Sequence, residues 1–164
     1  MNWFRFAVLL VIAMVLQAGV VDILAFANSK PDLLLILLVF FAVYSDTSNA
    51  IITSFVIGFA SDIIIGSAMG PQTVSFGLFG TLLAYLHRVV AIKKMHYQSL
   101  VIALTGFLAG TLALFLSSLK DQPIAPNAFT ILLGTSIYSA VVGPFLFSLL
   151  SWWIRMTVHR FGRH

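Results

Sequence analysis

The chain has 164 residues, of which 60% are hydrophobic and only 9% charged, and its mean hydropathy is +1.06. Soluble domains are about half apolar and about a quarter charged, so composition excludes a soluble enzyme, a nucleic-acid-binding module and a disordered tail. The net charge of +4 comes from basic residues at the ends of apolar runs rather than from a continuous basic face, and there is no cysteine for a disulfide or a thiolate metal site.

The expectation is one all-α polytopic membrane domain over residues 1–164, a bundle of about six transmembrane helices. The apolar stretches run over 6–26, 31–44, 49–65, 71–86, 99–119 and 128–154. A span needs about 20 residues to cross a core of about 30 Å. By that measure the first, fifth and sixth are long enough. The second and third are short, and read as thin-region spans or as a re-entrant pair shielded by the others.

Punctuation supports helices. Ser29, Pro31 and Asp32 supply a capping serine, an early proline and a first-turn acid for the second stretch. Asp46 to Asn49 opens the third in similar style, and Gly70-Pro71 separates the third from the fourth. Pro123 and Pro126 mark a loop, and Pro144 falls inside the sixth run, where it should kink the helix and free a carbonyl.

Orientation follows from charge. With the N-terminus inside and six crossings, Arg5, Arg88, Lys93, Lys94, Arg155, Arg160 and Arg163 are cytoplasmic, while Lys30 and Lys120 are outside. Trp3, Trp152 and Trp153 fall at the same cytoplasmic interface. The expectation is a bacterial inner-membrane protein with both termini cytoplasmic. Arg5, the first apolar run and Ala25-Phe26-Ala27 imitate a cleavable signal peptide, but the run exceeds a signal core, and retention as an anchor is expected.

The acids are Asp22, Asp32, Asp46, Asp62 and Asp121, with no glutamate. Asp62 lies deepest, roughly 20 Å along its helix from Asn49. An acid there must face other helices or water. It reads either as an ion or substrate contact or as a packing acid satisfied by helix N-termini, Gln72 or Thr73. If hydrogen bonding is its role, Asp62→Asn should retain function; complete loss at normal protein level would mark a required charge.

Ala50, Ser54, Gly58, Asp62, Gly66 and Gly70 recur every four residues and form one stripe of mostly small side chains. Gly77, Gly80 and Ala84, then Gly106 and Gly110, continue the theme on later spans. Small stripes allow helix backbones to approach closely in lipid. Gly58, Asp62, Gly66, Gly70, Gly106 and Gly110 are therefore the structural or packing candidates. His87, His96, His159 and His164 lack metal-ligand spacing, and no phosphate loop, nucleophile elbow or carboxylate pair is present. No catalytic, cofactor or metal residue is expected.

Pro31-Asp32-Leu33, the run Gly58 to Gly66, Gly70, and Gly80-Thr81-Leu82-Leu83-Ala84-Tyr85 together resemble the rod shape-determining MreD family. The resemblance covers residues 30–86, and the remainder by length, span count and basic termini. It implies a non-enzymatic component of the bacterial elongation machinery. Its partners would be the bitopic protein MreC, then the actin-like MreB and the lateral-wall peptidoglycan synthases. It also implies a fold similar to the substrate-binding subunits of energy-coupling-factor vitamin transporters. On this scaffold reading, Gly110→Leu on an exposed stripe should break association with MreC without unfolding the bundle.

The alternative is a small-molecule-binding membrane subunit of a vitamin transporter. Such subunits dock their ATPase module through an alanine-xxx-alanine stripe on the first helix. Here the spacings read Ala7 to Val11, Ala13 to Gln17 and Ala18 to Asp22, so that stripe is missing.

Overall fold

In a computed structural model, residues 3–19, 29–66, 69–86, 95–121 and 123–161 are described, without the side chains of Met95 and of residues 153–161. Asp22, His87, Arg88, Lys93, Lys94, Arg163 and His164 lie outside them, as do the side chains of Trp153, Arg155, His159 and Arg160. The charge-based orientation therefore rests on sequence. Among the described residues six helices form: α1 Trp3–Gly19, α2 Leu33–Tyr44, α3 Thr47–Ile65, α4 Pro71–Leu86, α5 Met95–Leu119 and α6 Ala128–Phe161.

The organising element is α2. Its sequence LLLILLVFFAVY is apolar on every side, and such a helix is stable only when surrounded. Leu34 to Ala42 are all at most 6% exposed, and α1, α3, α4, α5 and α6 each pack against this helix. Twelve residues make a helix of about 18 Å, so α2 sits as a plug inside the bundle.

The remaining helices face outward on one side. On α6, Leu133, Ile137, Val141, Phe145 and Leu149 form an exposed stripe at four-residue intervals; Leu100, Leu104 and Leu108 do the same on α5. Exposed apolar surface of that extent calls for a lipid solvent. The helices α3, α5 and α6 are long and apolar enough to cross a membrane.

One expectation about length is revised. The third stretch is a 19-residue helix, because it starts at Thr47 rather than Asn49. It is no shielded element either, since Ile52, Phe55, Val56, Phe59 and Ile63 are exposed along its outer face. α1 covers 17 described residues, Trp3–Gly19, and the remainder of the first expected span, 20–26, lies outside the described residues.

The helix starts also differ in detail. Asp32, not Ser29, caps α2: its carboxyl accepts from Leu35 N–H at 3.1 Å. Pro31 lies just outside the helix. Asp46 occupies the N-cap position of α3 without a side-chain hydrogen bond. α6 continues through Pro144 as one helix.

Polar and aromatic ties hold the two ends of the plug. At its start, Asp32 N–H donates to Ser139 Oγ of α6 at 2.8 Å and Leu33 N–H donates to Gln17 Oε1 of α1 at 2.8 Å. At its far end, Phe6, Phe40, Phe41 and Phe147 meet edge to face, with ring centroids 5.0–5.6 Å apart. Each such pair adds about 0.5–1.5 kcal/mol beyond its buried area. α1, α2 and α6 are thereby fixed in register.

Candidate functional site: the α3–α4 clasp

α4 begins with a chemical deficit. Its N-cap position is Gly70, which has no side chain to accept a hydrogen bond, and its first residue is Pro71, which has no N–H. The N–H groups of Gly70, Gln72 and Thr73 are left without intrahelical partners. All three donate to the carboxyl group of Asp62 on α3. Gly70 and Thr73 reach Oδ2, each at 2.9 Å, and Gln72 reaches Oδ1 at 3.0 Å. The Thr73 hydroxyl also donates to Oδ2, at 2.5 Å. Asp62 is only 2% exposed, so these bonds are not shared with solvent. One helix thus caps another, with an acid placed where the α4 dipole is positive.

The geometry depends on glycine at both flanks. Gly66 closes α3 in the left-handed region at φ 66°, its N–H bonded to Asp62 O at 3.0 Å. Gly70 takes φ 121°, a conformation that side-chain-bearing residues rarely adopt. Lys120, at the end of α5, donates from Nζ to Met69 O at 2.6 Å and ties the α5–α6 loop to the same corner.

Below the cap the stripe on α3 meets α4 backbone to backbone. A Cβ added at Gly58 would stand 2.8 Å from Gln72 O and from Thr73 Cα. Added at Gly80 it would strike Ser54, and at Gly77 the ring of Phe55. The Ser54 hydroxyl donates to Ala50 O at 2.7 Å, so it carries no unmet donor into the interface. The small stripe Ala50, Ser54, Gly58 and Asp62 is buried along its whole length.

Gly106 and Gly110 are placed differently. A Cβ on Gly106 would meet Leu35 Cδ2 at 2.6 Å and Ser136 Oγ at 3.2 Å, and one on Gly110 would meet Leu132. Both look into the bundle, toward α2 and α6. The expected exposed stripe is therefore corrected: Gly110→Leu would disturb α5–α6 packing rather than report a partner. Because the obstacle at Gly110 is the end of one leucine side chain, Gly110→Ala should cost less than about 1 kcal/mol, with Leu132 turning aside. Gly110→Leu should cost about 2–3 kcal/mol and be partly restored by Leu132→Ala. Thermal unfolding of the purified variants reads both.

Among the described residues no three His, Asp or Glu side chains gather into a metal-binding group. His96, the histidine whose side chain is described, is exposed at the start of α5. What the site does chemically is to hold two helices together.

Comparison with protein-family models matches residues 1–156 to the family described as rod shape-determining protein MreD. The chain belongs to the MreD family. The match runs from the first residues through most of α6, so all six helices belong to the MreD-family domain. The placement identifies a membrane protein of cell-shape determination. Neither a curated protein nor a solved structure matches the chain in the same comparisons. Of the two readings of Asp62 from sequence, the packing acid satisfied by a helix N-terminus, Gln72 or Thr73 is the one this geometry matches; the contribution of the missing cap at Gly70-Pro71 becomes visible only once Asp62 is seen to fill it.

Proposed function

We propose that this protein is a non-enzymatic subunit of the bacterial elongation complex that binds MreC within the bilayer. Through MreC it would connect MreB and the lateral-wall peptidoglycan synthases. The observation that carries this reading is the MreD-family match across residues 1–156, joined to a bundle whose polar interior is used in packing. An inner-membrane location with both termini cytoplasmic, and a fold like that of energy-coupling-factor substrate-binding subunits, belong to the same proposal. The vitamin-transporter alternative lacks the first-helix alanine stripe, and the family placement argues against it.

The packing refines where MreC should dock. The glycine approaches at Gly58, Gly77, Gly80, Gly106 and Gly110 are used inside the bundle. A transmembrane helix of MreC is then left the lipid-facing apolar stripes, such as Phe4, Val11 and Val15 on α1 or Leu133 to Leu149 on α6. Single tryptophan or serine substitutions along those stripes should leave protein level unchanged and, on one face, reduce co-purification of MreC. Unchanged co-purification on every face would count against the scaffold reading.

Orientation has its own test, helped by the absence of native cysteine. Ile124 in the exposed α5–α6 loop and Trp152 near the opposite end each accept a single cysteine. A membrane-impermeant maleimide should label Ile124→Cys in intact spheroplasts and Trp152→Cys only after the membrane is opened. The reverse pattern would invert the topology.

A further inference from the structure

The plug α2 is too short to fill the bundle from end to end. α5 has 25 residues and a length of about 37 Å, whereas α2, with 12 residues, covers about 18 Å. α2 therefore lies beside only part of α5. At its end, Tyr44 Oη accepts from Gln98 Nε2 at 3.4 Å, and in its first turn Leu35 Cδ2 lies 2.6 Å from where a Cβ on Gly106 would stand. Beyond Gly106 the interior is bounded by α4, α5, α6 and the α5–α6 loop, and there a partly open cavity of about 480 Å³ remains. Its α5 wall runs from Gly106 through Gly110 and Ala113 to Ser117, a helical rise of roughly 16 Å. One leaflet of a bilayer has a hydrocarbon depth of about 15 Å, half of a core of about 30 Å. The cavity is about as deep as one lipid tail.

The lining suits hydrocarbon. Leu35, Phe76, Leu114, Ile131 and Leu132 all contribute to it. At the deep end, polar groups are engaged within the chain: the Asp32 carboxyl accepts from Leu35 N–H at 3.1 Å, and the Ser136 hydroxyl donates to Leu132 O at 2.9 Å. Neither needs a ligand to complete it.

At the loop end the chemistry changes. Ser117 and Pro123 line the cavity on one side, and Ile65 and Gln72 of the α3–α4 corner line it on the other. Lys120 reaches between these sides, its Nζ donating to Met69 O at 2.6 Å. An ammonium group has three donors, so others remain, and among the described residues Lys120 forms no ion pair. A cation at the head of an apolar cleft matches an amphiphile with an anionic head and a hydrocarbon tail.

We propose that this cavity takes one acyl chain of a phospholipid from the leaflet on the Asp32 side, with the phosphate held at Lys120. The chain completes the core that a longer α2 would have filled. The site uses neither the Asp62 carboxyl nor the lipid-facing stripes, so its failure would leave the MreC reading untouched.

The full chain, purified in maltoside and supplied with phosphatidylglycerol, is read by native mass spectrometry and by thermal unfolding. Wild type should retain one phospholipid after the detergent is stripped, and the lipid should raise the unfolding midpoint. Ala113→Phe, which places a ring in the cavity, should lose both the adduct and the shift. Should that variant fail to fold, Thr135→Met fills the same space with a flexible side chain. Phe145→Ser, on the outward face of α6, should keep both. Lys120→Gln should weaken phosphatidylglycerol binding about fivefold, and Lys120→Arg should preserve it. An adduct that survives in the folded cavity-filling variants, or is lost equally in Phe145→Ser, would place the lipid on the outer surface and overturn the proposal. So would a wild-type chain that retains no phospholipid, or one that retains only detergent or a water-soluble molecule. Equal affinity of wild type and Lys120→Gln would overturn the placement of the phosphate.

Discussion

Asp62→Ala is expected to open the α3–α4 pair and to remove the protein from the membrane by degradation. Alanine leaves the N–H groups of Gly70, Gln72 and Thr73 without an acceptor at a position that is 2% exposed. Neither Gly70 nor Pro71 can supply a replacement, since one lacks a side chain and the other an N–H. Buried donors left unpaired cost about 1–3 kcal/mol each, and partial relaxation toward water brings the expected total to about 3–5 kcal/mol. Marginally stable domains do not absorb such a loss. Asp62→Asn is the graded control. Its amide oxygen can still accept from Gly70 and Thr73, while its NH₂ group faces the Gln72 N–H donor, for an expected cost of about 1–2 kcal/mol. Steady-state level and unfolding temperature should therefore rank wild type, Asn, Ala. Normal levels of Asp62→Ala with lost function would contradict the capping role and point to a required charge.

Gly58→Ala should be among the most damaging single-methyl changes at the described glycines. The added carbon would stand 2.8 Å from two backbone atoms of α4, Gln72 O and Thr73 Cα, and backbone cannot turn aside as a side chain can. Relief requires the helices to separate, which also stretches the hydrogen bonds to Asp62 one turn away. Overpacking of this kind costs about 1–3 kcal/mol, and the coupling to the cap places Gly58→Ala at the upper end. The same methyl at Gly110 has its nearest contacts with the Leu132 side chain and should cost less than about 1 kcal/mol. Equal effects at the two positions would contradict the distinction between a backbone contact and a side-chain contact.

Much of this architecture was legible in the sequence because lipid imposes few solutions. Six apolar runs, their order and the start of α4 at Pro71 follow from hydropathy and punctuation. The four-residue stripe through Gly58 and Asp62 was readable because its period matches a helix face. Other features depend on neighbours that one sequence does not display. The apolar run of α2 looks like a short span, and only the five helices around it make it a plug. Gly110 reads equally well as lipid-facing or inward-facing, since both settings favour small residues; Leu132 decides it.

The role proposed for this bundle is cell-shape determination as an MreD-family scaffold. Its most direct test is microscopy of rod-shaped host cells as the protein is depleted. Cells should widen and round, the intact gene should restore rods, and Asp62→Ala should not. Cells that remain rods on depletion, and fail to grow only when a vitamin is scarce, would contradict it and favour a transporter subunit.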